Sequence, residues 1–269
     1  MSLLSAALLG VVQGVTEFLP VSSSAHLILA RAFFGWDAEG LGLAFDVACH
    51  LGTLLAVLVF FRVDLAAMLK ALPRLFSSPL TPDARRIWLI VAGTIPIVIV
   101  GLLWADVIED RMRTPAVAAV ALLVGAVLLL LIERFGNSTG GEESLGVAGA
   151  FGVGVAQSAA LIPGVSRSGS TIAAGMALGL RRDVAARFTF LMSIPAIVAA
   201  AAKEGLELRH LAFTSGDAMM FAVGIGSSAV VGYLTVKYFI RYLATHRLDV
   251  FAWYRIALTA ATVVWLLQR

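Results

Sequence analysis

Apolar runs of membrane-crossing length dominate this chain, at about 44–61, 87–104, 116–132, 186–202, 217–236 and 250–267. Roughly 30 Å of hydrocarbon takes about 20 helical residues, whereas a tilted barrel strand takes only about 9–11 with alternating polarity. These runs are too long and too uniformly apolar for barrel strands, so the spanning elements are expected to be helices. Of 269 residues, 60% are hydrophobic and 14% charged, with a mean hydropathy of +0.94. So few polar side chains cannot cover the surface of a water-soluble domain. The expected fold class is therefore an all-α polytopic membrane protein with six transmembrane helices.

Two further apolar stretches are interrupted. Residues 2–19 and 20–35 are hinged at Pro20, and residues 145–160 and 168–180 at Pro163-Gly164. None of these pieces spans a bilayer comfortably, so each pair reads as a re-entrant helix-loop-helix. The interruptions echo each other: QGVTEFLPVSSSAH (Gln13 to His26) and QSAALIPGVSRSGS (Gln157 to Ser170) match without a gap at Gln13/Gln157, Val21/Val165, Ser22/Ser166 and Ser24/Ser168. Broken backbone at membrane depth is tolerated only where protein or a water-filled cavity satisfies it. Three spans follow each pair, giving a first repeat over 1–134 and a second over 145–269, joined by the flexible linker FGNSTGGEES at 135–144. An odd number of spans per half turns the second half upside down, so the two polar tips meet near the midplane.

Charge distribution orients the chain. One face collects Arg62, Lys70, Arg74, Arg85, Arg86, Arg134, Arg181, Arg182, Arg187, Lys237, Arg241 and Arg247, with Arg255 nearby; the other has Arg31, Arg111, Arg113, Lys203, Arg209 and Arg269. Basic loops stay cytoplasmic, which leaves both termini and the loops 105–115 and 203–216 outside, with Asp106, Glu109 and Asp110 as solvated loop residues. The connection 62–86 is expected to carry an amphipathic helix from Asp64 to Phe76 on the inner surface. The N-terminus lacks the basic start and cleavage site of a signal peptide. Cys49 is expected to be a packing residue. A net charge of +3 without a basic, aromatic-interleaved block argues against nucleic acid as a partner.

The chemistry is expected at the tips. Glu17 and His26 are ionisable groups at membrane depth, where burial is costly unless they face a cavity and find partners. Ser22, Ser23 and Ser24 begin a helix, where hydroxyls cap free N–H groups and the N-terminus attracts anions. His26, three residues after Ser23, lies on the same helical face, and a hydroxyl beside an imidazole is a minimal activated nucleophile. Arg167 stands where the first motif has Ser23, and its planar fork suits phosphate oxygens. Ser166, Ser168, Gly169 and Thr171 around it form a second helix-start cradle. Gln13 and Glu17, four apart, offer oxygen ligands to a divalent cation such as Mg²⁺ or Ca²⁺. Asp46 and His50 read equally as a self-shielding pair at the interface or as catalytic groups. Thr94, Gln157, Thr189, Ser193, Ser227 and Ser228 are expected to bond between helices, and Gly93, Gly101, Gly224, Gly226 and Gly232 to allow close helix packing.

On QGVTEFLPVSSSAHLIL and LIPGVSRSGSTI, the chain resembles the bacterial undecaprenyl pyrophosphate phosphatases of the bacitracin-resistance type, end to end. The resemblance implies hydrolysis of undecaprenyl pyrophosphate to the monophosphate carrier used for peptidoglycan, at a periplasm-facing site in the bacterial inner membrane, with a divalent cation. It places Glu17 in the family's acidic motif, Ser23 and His26 in its serine-histidine segment, and Ser166, Arg167 and Thr171 in its second phosphate-binding segment. Gln13 stands where many relatives carry Glu, leaving one charge fewer for a metal.

The expected mechanism has Ser23 attacking the terminal phosphorus with His26 as general base. His26 as nucleophile and Glu17 activating water are the other possibilities. A lipid-phosphate flippase or anion transporter is the competing class, since inverted halves and broken helices also serve alternating access. Membrane lipid and the prenyl substrate are the expected partners, with a homodimer left open.

Overall fold

A computed structural model describes residues 2–36, 42–136, 138–208 and 215–268, and among these no strand forms. The helices are α1 (Leu3–Thr16), α2 (Ser23–Phe34), α3 (Gly42–Phe60), α4 (Arg62–Ala71), α5 (Pro82–Met112), α6 (Pro115–Phe135), α7 (Val147–Ala159), α8 (Arg167–Ala177), α9 (Arg182–Leu208), α10 (Ser215–Leu243) and α11 (Asp249–Leu267). Five of them, α5, α6, α9, α10 and α11, contain segments long and apolar enough to cross a membrane, and α3, counted with α4, makes a sixth. The protein is thus a multi-pass membrane protein.

Local sequence sets the boundaries. Thr81 and Thr114 cap α5 and α6 through their hydroxyls, and each is followed by a proline in the first helical turn, where its missing N–H costs nothing. Gly35 closes α2 with a φ of +64°, a left-handed turn that glycine adopts without strain. The chain bends by 73° between α3 and α4. The helix expected from Asp64 to Phe76 is present as α4 plus a 3₁₀ turn at Leu72–Arg74.

Helices α1 and α3 pack along α10, α5 along α7, and α6 along α11; α8 lies against α9, α7 and α6, and α2 against α1 and α6. Glycine permits the tightest contacts. A Cβ at Gly14 would meet the α10 backbone at 2.9 Å, and one at Gly52 would overlap the Ile225 carbonyl. Of the glycines expected to serve this way, Gly93, Gly224 and Gly232 do, while Gly101 and Gly226 have open space where a Cβ would stand. The main core joins Phe18, Phe61, Phe188, Phe190 and Phe239, contributed by both halves. Cys49 is buried among apolar neighbours.

Several expectations are corrected. The helix α5 runs on to Met112, so Asp106 and Asp110 are helical and not in a loop. On the other side α9 runs to Leu208, while Arg209 and Arg269 lie outside the described residues. The linker is tied down: Gly140 pairs with Gly179 and Arg181 through the main chain, Arg86 binds Glu142 at 2.7 Å, and Arg85 reaches the carbonyls of Glu142, Glu143 and Leu145. The hydroxyls of Thr94, Ser193, Ser227 and Ser228 bond to carbonyls of their own helices, not across helix pairs, a local alternative always within reach of a helical Ser or Thr. Gln157 and the Thr189 hydroxyl are buried without a hydrogen-bond partner.

Candidate active site

The breaks in the two short pairs place their polar residues against each other. Ser22 and Ser166 each precede a helix with φ of +72°, and they are the non-glycine residues in the left-handed region among those described. Such a conformation costs about 1–3 kcal/mol and persists only where the surroundings over-determine it. Here each serine hydroxyl caps the residue three ahead, Ala25 and Gly169 respectively, and sits 3.2 Å from a second hydroxyl, Ser24 and Ser168. The tips also bond to each other: the Gly164 N–H donates to Ser22 Oγ at 3.2 Å, and Ser168 Oγ donates to the Leu19 carbonyl at 2.9 Å.

At this junction the buried Glu17 carboxylate is the hub. Its Oε1 pairs with the Arg167 guanidinium across the two halves. Its Oε2 accepts from Ser23 Oγ at 2.7 Å and Gln13 Nε2 at 2.8 Å, and His50 Nε2 stands 3.4 Å away. Glu17, Ser22, Ser23, Ser24, His50, Ser166 and Arg167 line one cavity of about 450 Å³. Its remaining wall is mostly apolar, from Ile97, Val98 and Leu102 of α5 to Ala196, Ile197 and Ala200 of α9. At the far end Asp106 of α5 and Lys203 of α9 form an ion pair. The arrangement offers a hydroxyl with a carboxylate poised to take its proton, a guanidinium, two helix N-termini and an apolar trough, which suits a lipid carrying a phosphorylated head.

Not every expected residue faces this space. Ser23 and His26 do not pair. His26 Nδ1 lies 2.7 Å from the Ser22 carbonyl, which can only accept, so Nδ1 carries a proton; Nε2 shares a hydrogen bond with the Tyr254 hydroxyl at 2.8 Å. With both nitrogens engaged away from Ser23, the Ser23 hydroxyl bonds to Glu17 and not to His26. Ser168 serves the tip-to-tip bond, and buried Thr171 returns its hydroxyl to the Arg167 carbonyl at 2.6 Å. Gly169 lies beside a second, apolar crevice between α6, α7 and α8. Asp46 and His50 also part company: Asp46 pairs with Arg31 and Arg113, whereas His50 turns to Glu17 and keeps only the Asp46 main-chain carbonyl, at 2.8 Å.

The family model described as bacitracin resistance protein BacA matches residues 6–261. The chain belongs to this family. Among curated relatives, a protein of Rubrobacter xylanophilus named undecaprenyl-diphosphatase is 48% identical over 99% of both chains. Proteins of the same name from Alcanivorax borkumensis and Trichlorobacter lovleyi are 46% and 43% identical, over 97% and 96% of this chain and 98% and 94% of theirs.

Within this BacA-family chain, sequence reasoning passed over Tyr254 and Arg255. In the sequence Arg255 reads as lying near the basic inner face, yet it is fully buried. The signal was its depth: it lies six residues beyond Asp249, the start of α11, and so about 9 Å into the helix. Tyr254 gave no signal of its own, because an aromatic near the end of an apolar run reads as an interfacial anchor.

Proposed function

We propose that the protein is an integral membrane phosphatase that hydrolyses undecaprenyl pyrophosphate to undecaprenyl phosphate and inorganic phosphate, recycling the lipid carrier for peptidoglycan synthesis and conferring bacitracin resistance. The observation that carries this reading is the convergence of Ser23 and Arg167, from opposite halves, on the single carboxylate of Glu17. A carrier needs only binding groups; a nucleophile bonded to a base beside a guanidinium is what phosphoryl transfer requires.

In the proposed mechanism the prenyl chain rests against the apolar wall formed by α5 and α9, and the pyrophosphate reaches the tips. Ser23 Oγ attacks the terminal phosphorus as its proton passes to Glu17. The bond between that phosphorus and the bridging oxygen breaks, and its electron pair leaves with undecaprenyl phosphate. Arg167 and the N–H groups at the starts of α2 and α8 carry the charge on the equatorial oxygens. Water then cleaves the serine phosphoester and releases inorganic phosphate. His26, fixed between Ser22 and Tyr254, positions the first tip and its left-handed peptide.

A divalent cation, Mg²⁺ or Ca²⁺, belongs to this proposal. Gln13 Oε1 is buried without a partner beside the Glu17 carboxylate, so these two residues supply oxygen donors of the right chemistry. No group of three or more His, Cys, Asp or Glu side chains clusters for a metal among the described residues, so phosphate oxygens of the substrate would complete the shell. Bound there, the ion would neutralise charge on the transferring group.

The reading extends to placement: a bacterial inner membrane, both termini and the cavity mouth on the periplasmic side, two inverted repeats over 1–134 and 145–269, and re-entrant short pairs. The exchange of partners between the halves, α1 on α10 and α7 on α5, supports the repeat.

The test is phosphate release from undecaprenyl pyrophosphate by purified protein in detergent, where no gradient exists. Wild type should turn over, and Glu17→Gln and Ser23→Ala should each lose about 10²–10⁴-fold in kcat. A well-folded wild type that releases none would favour transport.

A further inference from the structure

We propose that Arg255, on α11, is a positioning residue for the reaction: it holds the two tips in register so that Ser23 and Arg167 can share Glu17. The inference rests on the phosphatase reading above for its kinetic part only.

Arg255 is completely buried, and its hydrogen bonds all end on main-chain carbonyls. Nε donates to the Leu122 carbonyl at 3.0 Å, and Nη1 to that of Pro20 at 3.2 Å. Nη2 lies 3.1 Å from the Ala121 carbonyl, 2.9 Å from Gly164 and 3.2 Å from Val165. Pro20 belongs to the first tip, Gly164 and Val165 to the second, and Ala121 and Leu122 to α6, so one rigid fork joins both breaks to a spanning helix.

The carbonyls it holds stand next to the strained serines. The Val165 peptide leads directly into Ser166, and Pro20 lies two residues before Ser22, the pair with φ of +72°. Among the described residues no carboxylate pairs with Arg255. A buried cation with carbonyls alone for company adds little to stability compared with a packed neutral side chain; what its planar fork supplies is direction. Room for it is made by Gly125 on α6, where a Cβ would overlap the guanidinium. Its neighbour Tyr254 fixes His26 of the first tip, so α11 presses on the junction at two successive positions.

Two readouts test the proposal. Spin labels at Phe34 and Ala177, the outer ends of α2 and α8, report the relative placement of the two helices without any need for turnover; buried Cys49 stays unlabelled, with the unlabelled parent as control. Arg255→Gln and Gly125→Ala should both broaden that distance distribution. In detergent both should lower kcat for undecaprenyl pyrophosphate at least about tenfold while KM moves less than about threefold, the pattern of a lost transition-state alignment. Arg255→Lys should stay low, because an ammonium keeps the charge but not the fork. If Arg255 acts through Arg167, the double variant Arg167→Gln/Arg255→Gln should fall within about threefold of Arg167→Gln alone. An unchanged distance distribution in Arg255→Gln overturns the proposal, as do multiplied kinetic losses in the double variant or full recovery by Lys. Should Arg255→Gln fail to fold, Arg255→Lys and Gly125→Ala decide the matter. A wild type that releases no phosphate sinks the phosphatase reading, and the spin-label distances still judge the positioning role.

Discussion

Arg167 shows why charge alone does not define a site. Its fork meets a carboxylate of the other half in the resting protein, and a planar pair of donors can pass from that carboxylate to two phosphate oxygens in a way a single ammonium cannot. Arg167→Lys should therefore lower kcat by about 10²-fold or more, measured as phosphate release, and a variant retaining full turnover would remove the clamp from the mechanism. Glu17, Ser23 and Arg167 were legible in the sequence because an ionisable or hydroxyl group at membrane depth has few structural excuses. The pairing among them was not. Helical spacing put His26 beside Ser23, but the left-handed Ser22 draws the His26 ring to its own carbonyl, and Glu17 reaches Ser23 from across the break. Nothing in a period of 3.6 residues encodes that turn. Likewise His50 read as a partner for Asp46, until two arginines from elsewhere in the chain claimed the carboxylate.

At the scale of helices, each expected apolar run falls within a helix to within one residue, because about twenty consecutive apolar side chains permit little else, although α10 continues to Leu243, seven residues past its run. Ends were less legible. The sequence 105–112 looks like a polar loop, yet α5 continues through it, and Asp106 pairs with Lys203 on α9. Close helix packing makes its own predictions. Replacing Gly52 by Leu would force a side chain into the backbone of α10 near Ile225, and overpacking of this kind costs about 1–3 kcal/mol, read as a lower melting temperature in detergent. Where α6 ends, the Glu133 carboxylate is wholly buried; it accepts from Arg182 at 2.7 and 2.5 Å and from the Leu248 N–H at 2.9 Å. Glu133→Gln removes that charge-assisted pairing and should destabilise by about 1–3 kcal/mol, with phosphate release per folded molecule little changed, since the residue does not line the cavity.

For the molecule as a whole, the paired motifs, the number of spans and the basic-residue asymmetry together point to an inverted duplication. The orientation has a direct check. Asp110 and Glu143 lie on opposite sides in the proposed topology, and Cys49 is buried. Asp110→Cys should react with a membrane-impermeant thiol reagent in intact cells, and Glu143→Cys only after permeabilisation; the reverse pattern would invert the topology. What the sequence could not convey is the strut at Arg255, which makes sense only once the five carbonyls around it, from the two tips and α6, are seen together. The ion pair between Glu17 and Arg167 carries a last consequence. Before any lipid arrives the guanidinium is already satisfied, so capture of a diphosphate is an exchange of one anion for another and not a simple addition. Glu17→Gln would remove that competing charge, and the variant should hold a non-hydrolysable prenyl diphosphonate more tightly than wild type while keeping the turnover loss of about 10²–10⁴-fold expected above.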